Sequence, residues 1–136
     1  MDQPTQSSGA ETAPTPRAFK YHMGAVLRRA RISIGHSMER IALDLGVSSQ
    51  TIGNYELGET QISFEMLRAL SDRLSIHPVV AYTQALALAA RSDGRGDEQS
   101  ILENLANLID SFLRLPTAEQ KRIFTAVADM KLPLRE

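Results

Sequence analysis

The stretch SSQTIGNYE, Ser48 to Glu56, places hydroxyl and amide side chains where a helix would turn them outward. Hydroxyl and amide groups donate and accept hydrogen bonds, and one terminal amide does both at once against a planar partner. The stretch contains no Lys or Arg. Its chemistry is therefore recognition through hydrogen bonds, and any attraction by charge has to come from neighbouring elements.

Two short helices joined by a tight turn are predicted around this stretch. Ser37 and Ser48 are suited to cap helix N-termini, and Gly46 and Gly58 are suited to end the two helices. Such a pair forms a helix-turn-helix, in which the second helix enters the major groove of DNA. Short helices joined by tight turns also occur in all-α domains that bind no DNA, so the spacing alone leaves both interpretations open.

The flanking sequence also has helical periodicity, and no segment alternates as a strand does. A helix is predicted from Tyr21 to Gly35, another over about Ser63–Leu74 with Phe64 on its buried face, and a fifth after His77 and Pro78. The apolar positions of ILENLANLIDSFLRL predict a sixth helix. A capping box over Thr117–Gln120 predicts the start of a seventh. The fold class is therefore all-α.

Composition divides the chain into four parts. Residues 1–18, rich in Pro, Ser and Thr, are predicted to be a disordered tail, with an arm along DNA through Arg17 and Lys20 as the alternative. Residues 19–90 form the five-helix domain. A linker is predicted over 91–98 because RSDGRGD is rich in Gly, Ser and Asp. Residues 99–136 are predicted to form a C-terminal helical hairpin for dimerisation.

The segment GHSMERIALDLGVSSQTIGNYELGE resembles the phage-repressor-like (Cro/XRE) helix-turn-helix family. The resemblance covers roughly Tyr21–Tyr82 and implies a DNA-binding domain in which Arg31 and Glu56 form a structural ion pair. It implies that five residues face base edges: Ser49, Gln50, Thr51, Gly53 and Asn54. Gln50 is the strongest candidate because its amide matches the paired donor and acceptor of adenine. Gly53 has no side chain, and we expect it to let a phosphate or a thymine methyl approach closely.

The positive charge that Ser48–Glu56 lacks is found on the flanking helices. Residues 17–91 carry nine Lys and Arg against six acidic residues, a net charge of +3, although the whole chain has −1. Phosphates position a protein on DNA and bases specify the sequence, so a division of this kind is expected. The predicted phosphate contacts are Arg28, Arg29, Ser37, Arg40 and Ser48.

Three positions depart from the family pattern. Met38, Leu57 and Glu59 are apolar or acidic where many relatives have amide or basic residues beside the DNA backbone. We therefore expect a monomer to bind weakly and two copies to be needed.

The C-terminal segment offers the surface for such a homodimer. The predicted dimerisation residues are Ile101, Leu105, Leu108, Ile109, Phe112, Ile123, Phe124 and Val127. In the alternative, both C-terminal helices pack back on the N-terminal domain. A protein partner bound through these helices is also possible.

Other classes of function receive little support. The chain has no cysteine, and its three histidines are scattered without ligand or catalytic spacing, so we expect no enzyme activity, no metal site and no cofactor. No signal peptide or membrane-spanning segment is predicted, which favours a cytoplasmic, nucleoid-associated location.

The sequence thus predicts a bacterial or phage transcriptional regulator, repressor or activator, that binds double-stranded DNA as a homodimer with residues 48–57 in the major groove. The alternative is a protein-interaction module or antitoxin that keeps the helix-turn-helix fold with weak or no DNA binding.

Overall fold

The computed structural model describes residues 17–130, and every regular element among them is an α-helix. In chain order these are α1 (Phe19–Ile34), α2 (Met38–Leu45), α3 (Ser49–Leu57), α4 (Phe64–Arg73), α5 (Pro78–Ser92), α6 (Gly96–Leu113) and α7 (Thr117–Asp129). The all-α class is confirmed. The predicted disordered tail lies outside the described residues except for positions 17 and 18, and so do residues 131–136 of the predicted C-terminal element.

Serine caps and glycine stops set the bounds of the helices that matter most for the site. The Oγ atoms of Ser37, Ser48 and Ser63 each accept a hydrogen bond of 3.1 Å from a backbone N–H in the first turn of α2, α3 and α4. These bonds satisfy donors that have no partner inside the helix. At the end of α2, Gly46 has φ of 71°, a conformation that glycine adopts without steric cost.

The core lies between the inner faces of α1 to α5. α1 packs against α3 and α5, and α2 packs against α3 and α4. The core side chains are Met23, Val26, Leu27, Ile41, Ala42, Ile52, Ile62, Leu67, Leu70, Leu74, Ala81 and Ala85. The expected burial of Phe64 was wrong: it begins α4 and is 64% exposed, and Ile62 fills the buried place before the cap.

The predicted linker at 91–98 is much shorter in the structure. α5 continues to Ser92 and α6 begins at Gly96, so residues 93–95 alone connect them. Arg95 holds this turn through ion pairs with Asp93 at 2.9 Å and Glu98 at 2.7 Å. α6 then packs back along α5. The two helices approach closely because the side chains buried between them, Ala87, Ala90 and Ala106, are small. α6 is therefore joined to the five-helix domain as well as to α7.

The last described helix, α7, packs against little. Pro116 occupies its N-cap position without a side-chain hydrogen bond, so the predicted capping box at Thr117 is wrong. Thr117 is already the first helical residue. Gln120 instead donates through Nε2 to the carbonyl oxygens of Phe112, Leu113 and Leu115 at 3.1 to 3.2 Å, and thereby closes the end of α6. α7 buries no side chain.

Among the helices described, none has the length and apolar content that crossing a membrane requires.

Candidate nucleic-acid interface

The turn between α2 and α3 brings the two helices together at a fixed angle. Val47 N–H donates to the Ala42 carbonyl at 3.0 Å, and Gly46 N–H donates to the Leu43 carbonyl at 3.3 Å. These bonds occupy carbonyls that the last turn of α2 would otherwise leave without partners. Ile41, Ala42 and Ile52 are buried in the same core, which holds α3 against α2.

α3 has one buried and one outward face. Ile52 and Glu56, one helical turn apart, are buried, whereas Gln50 is exposed and Ser49, Gly53 and Asn54 are partly exposed. Positions 50, 53, 54 and 57 share a face because of the helical period. Neither amide of Gln50 or Asn54 makes a hydrogen bond to another part of residues 17–130. Both side chains are therefore available to an outside partner.

The hydroxyls of Ser48 and Thr51 at the start of α3 are already engaged. Ser48 Oγ and Thr51 Oγ1 lie 2.9 Å apart in a hydrogen bond, and Thr51 N–H donates to Ser48 Oγ. Ser48 therefore caps the helix. Thr51 retains acceptor capacity, but its hydroxyl is oriented by the cap. Ser49, Gln50 and Asn54 make no side-chain hydrogen bond to another part of residues 17–130.

Arg31 and Glu56 form a buried two-bond ion pair between α1 and α3. Arg31 Nε lies 2.6 Å from Glu56 Oε2 and Nη2 lies 3.0 Å from Oε1, while Nη1 donates to the His36 carbonyl at 2.9 Å. The side chains are 12% and 5% exposed. The hydrogen bond to Glu56 raises the pKa of Arg31, against the opposing effect of burial. The pair is saturated by internal contacts and is structural.

The predicted phosphate-binding arginines are not equivalent in position. Arg40 is exposed on α2 and lies 3.7 Å from Asp44, an i,i+4 pair that solvent screens. Arg28 lines a cavity that also contains Leu57 at the end of α3. Arg29 borders the same cavity and also a cleft with Gln84 of α5 and Glu103 and Asn107 of α6. Arg28 and Arg29 are both exposed, and all three arginines remain predicted phosphate contacts.

Gly24 is a site residue that sequence reasoning missed. A Cβ atom at this position of α1 would lie 2.4 Å from the Tyr55 carbonyl oxygen and 2.5 Å from that of Glu56. Glycine therefore lets α1 cross directly over the backbone of α3. The available signal was a glycine on the inner face of a helix that is otherwise lined by large apolar residues.

The N-terminal turn of α1 borders the C-terminal end of α3. The guanidinium of Arg17 lies 4.2 Å from the centre of the Tyr21 ring, and Lys20 Nζ reaches the Glu59 carbonyl at 3.5 Å. His22 is buried beside Tyr21, and burial, with a contribution from Arg17, lowers its pKa. Two basic side chains are therefore present near the end of α3, next to the acidic Glu59.

A second candidate surface lies between α6 and α7. The facing sides of the two helices border an open groove of about 520 Å³, lined by Leu108, Ile109, Ser111, Phe112, Leu115, Ile123, Phe124 and Val127. Phe124 is 70% exposed, and Ile101 and Leu105 extend the apolar surface along α6. Contiguous exposed apolar surfaces of this kind are typical of sites where another protein packs.

The first of these surfaces lies in a part of the chain that matches a known protein family. The helix-turn-helix family model matches residues 27–80, the part that contains α2, the turn and α3. Residues 27–80 belong to the helix-turn-helix family. This confirms the family that the sequence pattern indicated.

Two curated bacterial proteins are similar over most of the chain. An uncharacterized HTH-type transcriptional regulator of Sinorhizobium medicae and another of Rhizobium meliloti are each 27% identical over 124 residues, covering 90% of this chain and 86% of theirs. The crystal structure of the clp gene regulator ClgR from Corynebacterium glutamicum superposes with a TM-score of 0.56 at 22% identity, covering 65% of this chain and 95% of that one. At this level of identity, the superposition shows that the two proteins are similar in fold.

Proposed function

We propose that this protein is a transcriptional regulator that binds operator DNA as a homodimer, with α3 in the major groove. The observation that carries the proposal is the outward face of α3, where Gln50 and Asn54 have no partner within the described residues and no charge competes with them. The major groove presents adenine N6 and N7 as a paired donor and acceptor, which a terminal amide matches. Ser49 lies beside them at the first turn of α3.

Phosphate contacts in this proposal come from the elements that flank α3. Arg40 and Arg28 supply positive charge, and the capped starts of α2 and α3 at Ser37 and Ser48 supply backbone N–H groups and favourable helix dipoles. The net charge of +3 over residues 17–91 supports this arrangement. Phosphate contacts of this kind fix the register on DNA, and the amides specify the sequence.

The names of the similar proteins support a regulatory role. The two rhizobial proteins are described as transcriptional regulators, and ClgR as the regulator of the clp gene. A regulator of this type works in the cytoplasm, in contact with the nucleoid. Its direction of control, repression or activation, depends on where its operator lies.

The homodimer is proposed to form through the apolar groove between α6 and α7. Ile123, Phe124 and Val127 line the groove and are exposed, so the same side chains of two protomers would pack against each other. A surface that complements itself in this way favours a two-fold pair. Two copies would place two α3 helices on one duplex and raise the affinity beyond that of a monomer.

The second candidate function, a protein-interaction module or antitoxin, rests on the same groove and on the exposed Leu57 and acidic Glu59 at the end of α3. These two side chains weaken contact with a DNA backbone. A partner of this kind would occupy the groove in place of a second copy.

The decisive experiment is a fluorescence-anisotropy titration of the full chain, first with random duplex at low salt and then with duplexes selected from a random library. We expect binding that weakens steeply with added salt, because phosphate contacts release counterions. Gln50→Ala should weaken binding to the selected duplex by about tenfold or more and leave random-duplex affinity nearly unchanged.

The matched control is Asn104→Ala, which removes an exposed amide from α6, compared with Asn54→Ala on α3. Equal effects of the two variants would contradict contact through α3. Affinity that is absent at low salt would reject DNA binding and favour the protein-interaction module.

A further inference from the structure

Gly53 lies in the middle of α3, where glycine carries a cost. A glycine inside a helix is about 1 kcal/mol less favourable than alanine. Gly53 is not among the residues with positive φ, so the backbone conformation does not require glycine here. A reason for it has to be sought in the space around the Cα atom.

Packing within the chain does not require this glycine either. A Cβ atom at position 53 would meet only the Met38 Sδ atom, at 3.7 Å, which is an ordinary van der Waals distance. Gly24 differs, because a Cβ atom there would lie under 3 Å from backbone carbonyl groups of α3. The cost at Gly53 is therefore not offset by contacts among the described residues.

The space at Gly53 opens outward. Gly53 shares a helix face with Gln50, three positions earlier, and Asn54 adjoins it. The thioether of Met38 forms one wall and is held in place because Met38 packs against the core. The recess thus has an apolar wall and a bare backbone floor, with amide side chains beside it.

The chemistry of this recess selects its occupant. The Gly53 N–H is used within α3, and a thioether offers no hydrogen-bond donor, so the recess cannot neutralise or bind a phosphate oxygen. Among the base edges of the major groove, the single apolar group is the 5-methyl of thymine. We propose that Gly53 and Met38 form a recess for one thymine methyl in each half-site, and this inference rests on the proposed binding of DNA by α3.

The recess adds a specificity that the amides lack. Adenine recognition by Gln50 or Asn54 identifies an A·T pair by its purine. A methyl-accepting recess identifies a thymine at a neighbouring step, and distinguishes thymine from uracil, which differs by the methyl alone. The recess also distinguishes thymine from cytosine, because cytosine has neither the methyl nor the same exocyclic group.

The test uses the full chain and the duplex that selection from a random library returns, with each thymine replaced in turn by deoxyuridine. The replacement should weaken binding about fourfold at one thymine of a half-site, and about fifteenfold when the symmetric thymine is replaced as well, as expected for loss of one buried methyl and then of two. At other thymines the affinity should change by less than about twofold.

Variants link this sensitivity to the recess. Gly53→Ala should raise the melting temperature, because it strengthens the helix, and should abolish the difference between thymine and deoxyuridine. Met38→Gln should also reduce that difference, since it replaces the thioether by a polar amide of similar length. The matched control is Gly96→Ala in the first turn of α6, where a Cβ meets nothing within 4 Å; it should leave the thymine preference intact.

Three results would overturn the recess. One is a selected duplex in which no thymine is sensitive to loss of its methyl. Another is a Gly53→Ala protein that retains the full sensitivity, and the third is a Gly53→Ala protein that melts lower, which would mean that packing requires the glycine. If the proposed function itself fails, no duplex binds, and the recess is rejected with it. The three results above are distinct from that failure, because none of them requires loss of DNA binding.

Discussion

At the scale of single residues, two helical glycines show how space decides function. Neither Gly24 nor Gly53 has a positive φ, so each could be alanine as far as backbone conformation is concerned. At Gly24 the space is filled by the backbone of α3, whereas at Gly53 it opens to the solvent beside Met38. Gly24 therefore has a role in folding, whereas the role that we propose for Gly53 is in recognition.

Gly24→Ala tests the folding role. The added methyl would lie under 3 Å from the Tyr55 and Glu56 carbonyl groups, so α1 and α3 must separate or tilt. We expect a loss of about 2–3 kcal/mol in the free energy of unfolding, in the range for overpacked cores. Urea denaturation followed by circular dichroism measures it, with Gly96→Ala as the control that adds a methyl without a clash. Similar unfolding midpoints for the two variants would contradict the close crossing.

The sequence was informative at the residues whose role is local. The Ser37 and Ser48 caps could be predicted because a cap involves residues within one turn. The inner position of Ile52 followed from helical periodicity. The position of Arg29 beside a cleft with α6 could not be predicted, since it depends on how a helix many residues later packs against α5.

At the scale of elements, the connection between α6 and α7 was the part that local patterns misjudged. Thr117 and Gln120 have the spacing of a capping box, but the preceding Pro116 takes the N-cap position. Gln120 is thereby free to reach back to three carbonyls at the end of α6. Local spacing cannot tell which of two nearby helix ends such an amide will satisfy. The short 93–95 turn was missed because turn residues predict a break and not its length.

Gln120→Ala tests whether this amide sets the angle between α6 and α7. Loss of the three hydrogen bonds should loosen the turn, at a cost of about 1 kcal/mol because the site is largely exposed. We expect faster amide hydrogen exchange across α7 and no change in α3. Gln99→Ala is the control, since its amide bonds only within α6, to Glu103 at 2.8 Å. Unchanged exchange in α7 would mean that the apolar contacts alone hold the angle.

At the scale of the whole molecule, α6 has two faces with different surroundings. Its Ala106 face packs on α5 and is continuous with the five-helix domain, while its Leu108 and Phe112 side borders the groove with α7. Periodicity predicted that the helix was apolar on a wide surface, but could not divide that surface between internal packing and association. A partner bound in the groove is thus linked to α3 through packed helices, so the distance between two α3 helices in a dimer would be defined.

Phe124→Asp tests the dimer and its consequence for DNA binding. Phe124 is 70% exposed, so its replacement should leave the fold of the protomer intact, but a dimer loses two buried rings and gains two buried charges. We expect the dimer dissociation constant, measured by analytical ultracentrifugation, to rise about a thousandfold. Binding to a duplex with two half-sites should weaken accordingly, while binding to one half-site stays unchanged. Phe64→Asp, an equally bulky ring at 64% exposure on α4, is the control. Dissociation caused by Phe64→Asp and not by Phe124→Asp would move the dimer interface from the groove to α4.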